Sequence, residues 1–296
     1  MVACKNQENS MHPSKRSTPW IFFALTYGWS WAFWIPAALS GKDATTFLAL
    51  LLRYFGGVGP PLAGITLTYF AQDREGWRDY WRRVIEFKRI GIRWYTVILL
   101  IVPLMTFFSA FFDVLFGGMG VQLEATARFI DQPLAILPFV IFTLIFGPLP
   151  EELGWRGYAL DRLQMRWSAL ASSLGLGVAW AVWHTPLFFI KGTYQNNLGF
   201  GSLSFWIFMM ELIPLSILYT WIYNNNQRST LSAVLLHFMV NFIGELFELT
   251  KRAELYQFLL WVAAAIVVTL IWEPETLIRK KKNPHRVTSE ITREPG

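Results

Sequence analysis

The sequence predicts an all-α fold: a polytopic integral membrane helix bundle of about eight transmembrane helices, with a polar cavity facing the cytoplasm. Three observations predict it. Hydrophobic residues make up 54% of the 296 positions and charged residues only 16%, against about 25% charge in an average soluble domain, and the mean hydropathy is +0.36. The apolar residues fall in long runs of bilayer length. The basic residues fall mainly on one side of those runs.

A hydrocarbon core of ~30 Å requires roughly 20 helical residues. In chain order the runs are 20–39, 47–70, 94–115, 134 to about 160, 169–190, 203–223, 231–247 and 255–272. The second contains Arg53 and "GGVGPP", and the last third of the fourth is polar. With eight spans and an inside N-terminus, 19 of the 26 Lys and Arg lie on the cytoplasmic side. Lys42, Arg128, Lys191, Lys251 and Arg252 lie opposite, and Arg53 and Arg156 lie within spans. Such asymmetry orients membrane helices, so both termini are expected in the cytoplasm. The net charge of +6 is thus topological, and nucleic acid is not expected as a partner.

The expected divisions are a polar N-terminal tail (1–19), a helix bundle (20–272) with its functional core at about 130–250, and a basic C-terminal tail (273–296). Between the second and third spans, "DREGWRDYWRRVIEFKRIGIRW" alternates aromatics with arginines, which suits an amphipathic helix at the membrane interface or a basic connecting loop. The single cysteine, Cys4, excludes an internal disulfide and reads as a plain thiol. His12 and His285 fall in the polar tails, and Lys280–Lys282 add to the inside charge.

Ionisable side chains at membrane depth are costly and mark functional sites. Here they are Arg53, Glu151, Glu152, Arg156, His184, Glu211, His237 and Glu245. In "EELGWR", Glu152 and Arg156 are four apart and can pair, while Glu151 points about 100° away. That leaves Glu151 free as a base on a water-accessible wall. Pro148 and Pro150 interrupt the backbone hydrogen bonds just before it. "WAVWH" sets Trp180 one turn before His184, with Pro186 kinking the helix beyond; "HFMVN" sets His237 and Asn241 one turn apart. A glutamate, two imidazoles and a carboxamide make a hydrolytic set. Glu151 activates water, the histidines orient it or bind a metal, and Asn241 donates to an oxyanion. Glu151, His184 and His237 also match a zinc set with an open position. Glu211 and Glu245 read as polar contacts between helices or as residues at the lumenal ends of their spans, and Arg53 as a packing or snorkelling residue.

Depth sets a condition on convergence. At ~1.5 Å per residue, Glu151 lies ~13 Å from Leu160 and His237 ~9 Å from Leu231, but His184 lies ~22 Å from Ala169. The three meet only if the fifth helix begins outside the core or tilts strongly.

Together the three motifs resemble those of the CPBP family of intramembrane proteases, the Abi or CAAX-protease family that includes the type II CAAX prenyl proteases. "EELGWR" is similar to the family's EExxxR, "WAVWH" to FxxxH with Trp180 in place of Phe, and "HFMVN" to HxxxN. "GGVGPPLAG" and the basic stretch after it extend the likeness over roughly residues 20–250. The resemblance implies a membrane endopeptidase with Glu151 as base, His184 and His237 holding the water, and Asn241 at the oxyanion. Glu152 and Arg156 would support the motif, and Trp180 would form an aromatic wall. It implies either Zn2+ or a metal-independent glutamate mechanism, and a peptide or prenylated protein substrate meeting the site from the lipid bilayer. The rival expectation is a non-enzymatic transporter, scaffold or bacteriocin-immunity protein using the same polar groups.

Overall fold

Each apolar run forms helix in the computed structural model, which describes residues 19–279. The expectations for Cys4, His12, Lys280–Lys282 and His285 lie outside the described residues. Helix α1 (Pro19–Leu39) is followed by α2 (Phe47–Gly57) and α3 (Gly59–Ala71), so the second run is two helices that meet at Val58. The break follows from the sequence: Pro60 and Pro61 lack the N–H groups that would continue α2, and they sit instead in the first turn of α3. Among the described residues, five segments are long and apolar enough to cross a membrane: Phe47–Ala71, Ile92–Leu115, Pro133–Gln164, Leu203–Asn225 and Lys251–Trp272. The molecule is an all-α membrane protein.

The basic aromatic stretch is a helix, α4 (Arg74–Ile85), capped by the Asp73 carboxylate, which accepts from Gly76 N. It is more than a surface helix, since Tyr80 and Arg83 are buried in the bundle. Helix α5 (Ile92–Leu115) is followed by a short strand β1 (Val121–Gln122) and α6 (Glu124–Asp131). The strand pairs antiparallel with β2 (Glu248–Leu249), Val121 opposite Leu249. Asp113 clasps the same end: it pairs with Arg252 and accepts from Gly120 N at 2.8 Å and Thr250 Oγ1 at 2.8 Å.

The fourth run is discontinuous. It comprises α7 (Ile136–Ile145), α8 (Pro148–Gly154), a π turn (Trp155–Ala159) and α9 (Leu160–Gln164). Helix α10 (Ala169–Trp183) ends one residue before His184, and Thr185–Phe189 continues as a 3-10 turn. Pro186 therefore ends this helix rather than kinking it. The remaining helices are α11 (Tyr194–Leu198), α12 (Leu203–Asn225), α13 (Thr230–Leu246) and α14 (Lys251–Trp272).

Close approach between helices depends on glycine, the usual device where lipid tails supply no hydrophobic drive for helix association. A Cβ on Gly154 would stand 2.4 Å from Pro60 O, and one on Gly64 would stand 2.9 Å from Leu153 O, so α3 lies directly against α8. A Cβ on Gly177 would stand 2.8 Å from Ile213 Cα, which presses α10 against α12.

Candidate active site

The two adjacent glutamates diverge as their helical spacing demands. Glu152 is fully buried, and one of its oxygens serves two partners. Oε1 accepts from Arg156 Nη1 at 3.0 Å and lies 3.0 Å from His237 Nδ1. Arg156 is itself fully buried. Its guanidinium lies 5.1 Å from the Trp180 ring and 4.7 Å from the Tyr219 ring, and its Nη2 donates to Ser216 Oγ at 3.2 Å. Stacking between aromatic faces satisfies a buried guanidinium that one carboxylate alone would not.

Glu151 faces the other way, into a cavity of about 540 Å³ that His184 and Asn241 also line. It is not left without a partner: the Trp180 indole Nε1 donates to its Oε2 at 2.7 Å. Trp180 is therefore a polar contact of Glu151 as well as an aromatic wall. Phenylalanine at this position would lack the donor.

His184 Nδ1 lies 2.8 Å from Trp180 O. A carbonyl only accepts, so Nδ1 carries the proton, and Nε2 of a neutral ring keeps its lone pair. His237 has its Nδ1 against the Glu152 carboxylate in the same way. His237 does not line the cavity with Glu151; it packs behind, its ring 5.2 Å from Trp180 and 5.7 Å from Tyr219. Asn241 approaches the break before α8, where a Cβ on Gly147 would stand 3.1 Å from Asn241 Nδ2.

The helix boundaries bring Glu151 and His184 to a similar depth, whereas His237 stays about 10 Å from the start of α13. The helical path after Glu151 runs to Gln164 rather than Leu160, which sets Glu151 about 20 Å from its end, near the ~22 Å of His184. Helix α13 is registered by two polar rungs: Arg228 pairs with Asp161, and His237 with Glu152.

Several supporting residues carried no signal in the sequence. Tyr80 Oη donates to Leu153 O at 2.9 Å, and Arg83 Nη2 donates to Gly157 O at 3.1 Å, so α4 takes up carbonyls around the π turn. Arg83 Nη1 also donates to Asp161 Oδ2 at 2.8 Å and to Tyr223 Oη at 2.6 Å. The positive charge of the Asp161 partner Arg228 is held still more firmly than usual, because the neighbouring carboxylate raises its pKa. Arg83 stood in a run of surface-like arginines, and Ser216 looked like any small residue in an apolar helix.

A catalytic Zn2+ requires three protein donors converging on one point. Both imidazoles have Nδ1 tied down and Nε2 available, as metal ligands do. Yet among the described residues no three His, Cys, Asp or Glu side chains come together as a set able to hold an ion. In this arrangement the residues do not fit a resident metal.

Residues 133–243 match the family model described as type II CAAX prenyl endopeptidase Rce1-like. The chain is also 29% identical over 262 residues to CAAX prenyl protease 2 of Methanococcus maripaludis, an alignment covering 87% of this chain and 96% of that relative. The matched segment holds Glu151, Arg156, His184, His237 and Asn241, and over most of its length the chain is similar to CAAX prenyl endopeptidases of the Rce1-like kind.

Proposed function

We propose that the chain is an intramembrane endopeptidase in which Glu151 activates the attacking water. One observation carries the reading: Glu151, His184 and Asn241 line one cavity, while Glu152 is wholly buried in a pair with Arg156 and His237. One carboxylate is thereby offered to substrate and its neighbour is committed to structure. The cavity volume suits a short peptide segment.

In the proposed reaction Glu151 takes a proton from water as the oxygen attacks the peptide carbonyl. The His184 Nε2 lone pair accepts the water's other hydrogen bond and fixes its direction. The Asn241 amide donates to the oxyanion as the carbonyl becomes tetrahedral. On collapse the C–N bond breaks, and the protonated Glu151 returns its proton to the leaving amine. His237 acts from behind the cavity by holding Glu152 and Trp180 in place. No step passes through a metal.

The name of the archaeal relative supports a CAAX-type, C-terminally processed substrate, prenylated or otherwise membrane-associated, reaching the cavity from the bilayer. The charge distribution of the loops supports cytoplasmic termini. The family favours this reading over the transporter and scaffold alternatives.

The test is cleavage of a fluorogenic CAAX peptide, prenylated and unprenylated, by detergent-purified protein whose metal content has been measured. Glu151→Ala is expected to reduce kcat by about 10²–10⁴, the usual contribution of a general base, with an unchanged size-exclusion profile. Full activity in the folded variant would refute Glu151 as the base. Stoichiometric zinc required for turnover would refute the metal-independent route.

A further inference from the structure

Arg53 is a charged residue midway along an otherwise apolar helix, α2, and the mechanism does not use it. Arg53 is half-buried; a guanidinium held at membrane depth without a counter-ion is costly, and such groups mark binding sites. Arg53 lines the same cavity as Glu151. Its Nη2 donates to Tyr54 Oη at 2.8 Å, and the guanidinium lies 4.7 Å from the Tyr54 ring. Among the described residues no carboxylate pairs with it. It is also the only Lys or Arg lining that cavity, whose two carboxylates are Glu151 and Glu245.

The surroundings hold Arg53 still rather than letting it reach away. The Trp34 indole donates to Arg53 O at 2.8 Å. A Cβ on Gly56 would fall 2.1 Å from Trp34 Nε1, so α2 is seated directly on α1. Tyr54 packs edge-on against Phe146, ring centres 5.0 Å apart, on the segment that leads through Gly147 to Glu151. A cation fixed against the wall that carries the base can meter distance along a bound peptide.

From this geometry we infer that Arg53 is a specificity-determining residue that binds the free α-carboxylate at the C-terminus of the substrate. The inference rests on the endopeptidase reading above. A guanidinium binds a carboxylate through two parallel charge-assisted hydrogen bonds. Two acidic side chains elsewhere in the cavity repel that carboxylate from every other berth. Once the chain end is anchored, the peptide bond presented to Glu151 is the one at a fixed reach from Arg53. The cavity thus selects chain termini and sets the register of cleavage.

The experiment compares one fluorogenic peptide with a free C-terminal carboxylate and with a C-terminal carboxamide. Each is cleaved by the wild type, Arg53→Gln and Arg53→Lys, in neutral and in anionic lipid vesicles. Wild type is expected to prefer the carboxylate in kcat/KM by roughly ten- to a hundredfold, the worth of a charged hydrogen-bonded pair, expressed mainly in KM. Arg53→Gln collapses that ratio toward one, and Arg53→Lys restores part of it. Anisotropy binding of both peptides in a Glu151→Ala background reads the same preference without turnover. A wild-type ratio near one, or an unchanged ratio in Arg53→Gln, overturns the anchor alone. An equal loss on both peptides that follows lipid charge assigns Arg53 to lipid phosphate and also overturns it. Cleavage of neither peptide by the wild type overturns the endopeptidase reading and the anchor with it.

Discussion

At the residue scale, adjacent carboxylates have opposite fates because helical geometry separates them by a quarter turn or more. Glu152 is committed to Arg156 and His237, and Glu151 meets substrate space through a single indole donor. Removing Arg156 leaves a buried carboxylate with only an imidazole. Arg156→Ala is therefore expected to destabilise the protein by about 3–5 kcal/mol, the usual effect of breaking a buried ion pair, seen as a lowered Tm in detergent. A Tm within a degree of wild type would show that Glu152 is stabilised by His237 alone. The spacing in "EELGWR" foretold the Glu152–Arg156 pair and the outward turn of Glu151. It could not foretell Ser216 or Tyr219 around the guanidinium, because those contacts cross from a different helix.

At the scale of elements, the sequence marked where helices lie better than where they stop. The apolar runs correspond to helices throughout, since burying or embedding them requires internally satisfied backbone. The breaks depend on local chemistry that hydropathy averages away, as at Val58 before two prolines and at His184 before Pro186. The position of α4 was hidden for a different reason. Arginine reads as surface, and only the structure shows Arg83 held by Asp161, Tyr223 and the π turn. Contact between α3 and α8 makes its own prediction. Gly154→Ala places a methyl 2.4 Å from Pro60 O, backbone against backbone, and should cost about 1–3 kcal/mol as overpacking does. The readout is thermal unfolding in detergent, and an unchanged Tm would show that the two helices slide apart without penalty.

At the scale of the molecule, a discontinuous membrane-length segment and the shorter α13 place Glu151 and Asn241 in one cavity, and a buried polar layer of Glu152, Arg156 and His237 lies behind it. The orientation proposed across the bilayer rests on the loop charges. The single cysteine at position 4 offers a direct measurement. In intact cells a membrane-impermeant maleimide should leave Cys4 unlabelled until the membrane is permeabilised. Labelling without permeabilisation would invert the bundle and turn the cavity mouth to the other side.

The π turn between Glu152 and Asp161 has a consequence for rotational phase. Both residues pair with the segment that begins α13, and they are nine residues apart. In an unbroken α-helix nine residues sweep about 900°, two and a half turns, which would set the two carboxylates on opposite faces. The π turn at Trp155–Ala159 takes up one surplus residue, so the sweep falls to about 800° and both carboxylates come round to the same side. It follows that a chain one residue shorter within that turn keeps its phase as a plain α-helix, whereas one residue longer loses it. Deleting Ala159 should lower the Tm less than inserting an alanine beside it, the reverse of what volume alone would favour in a packed core.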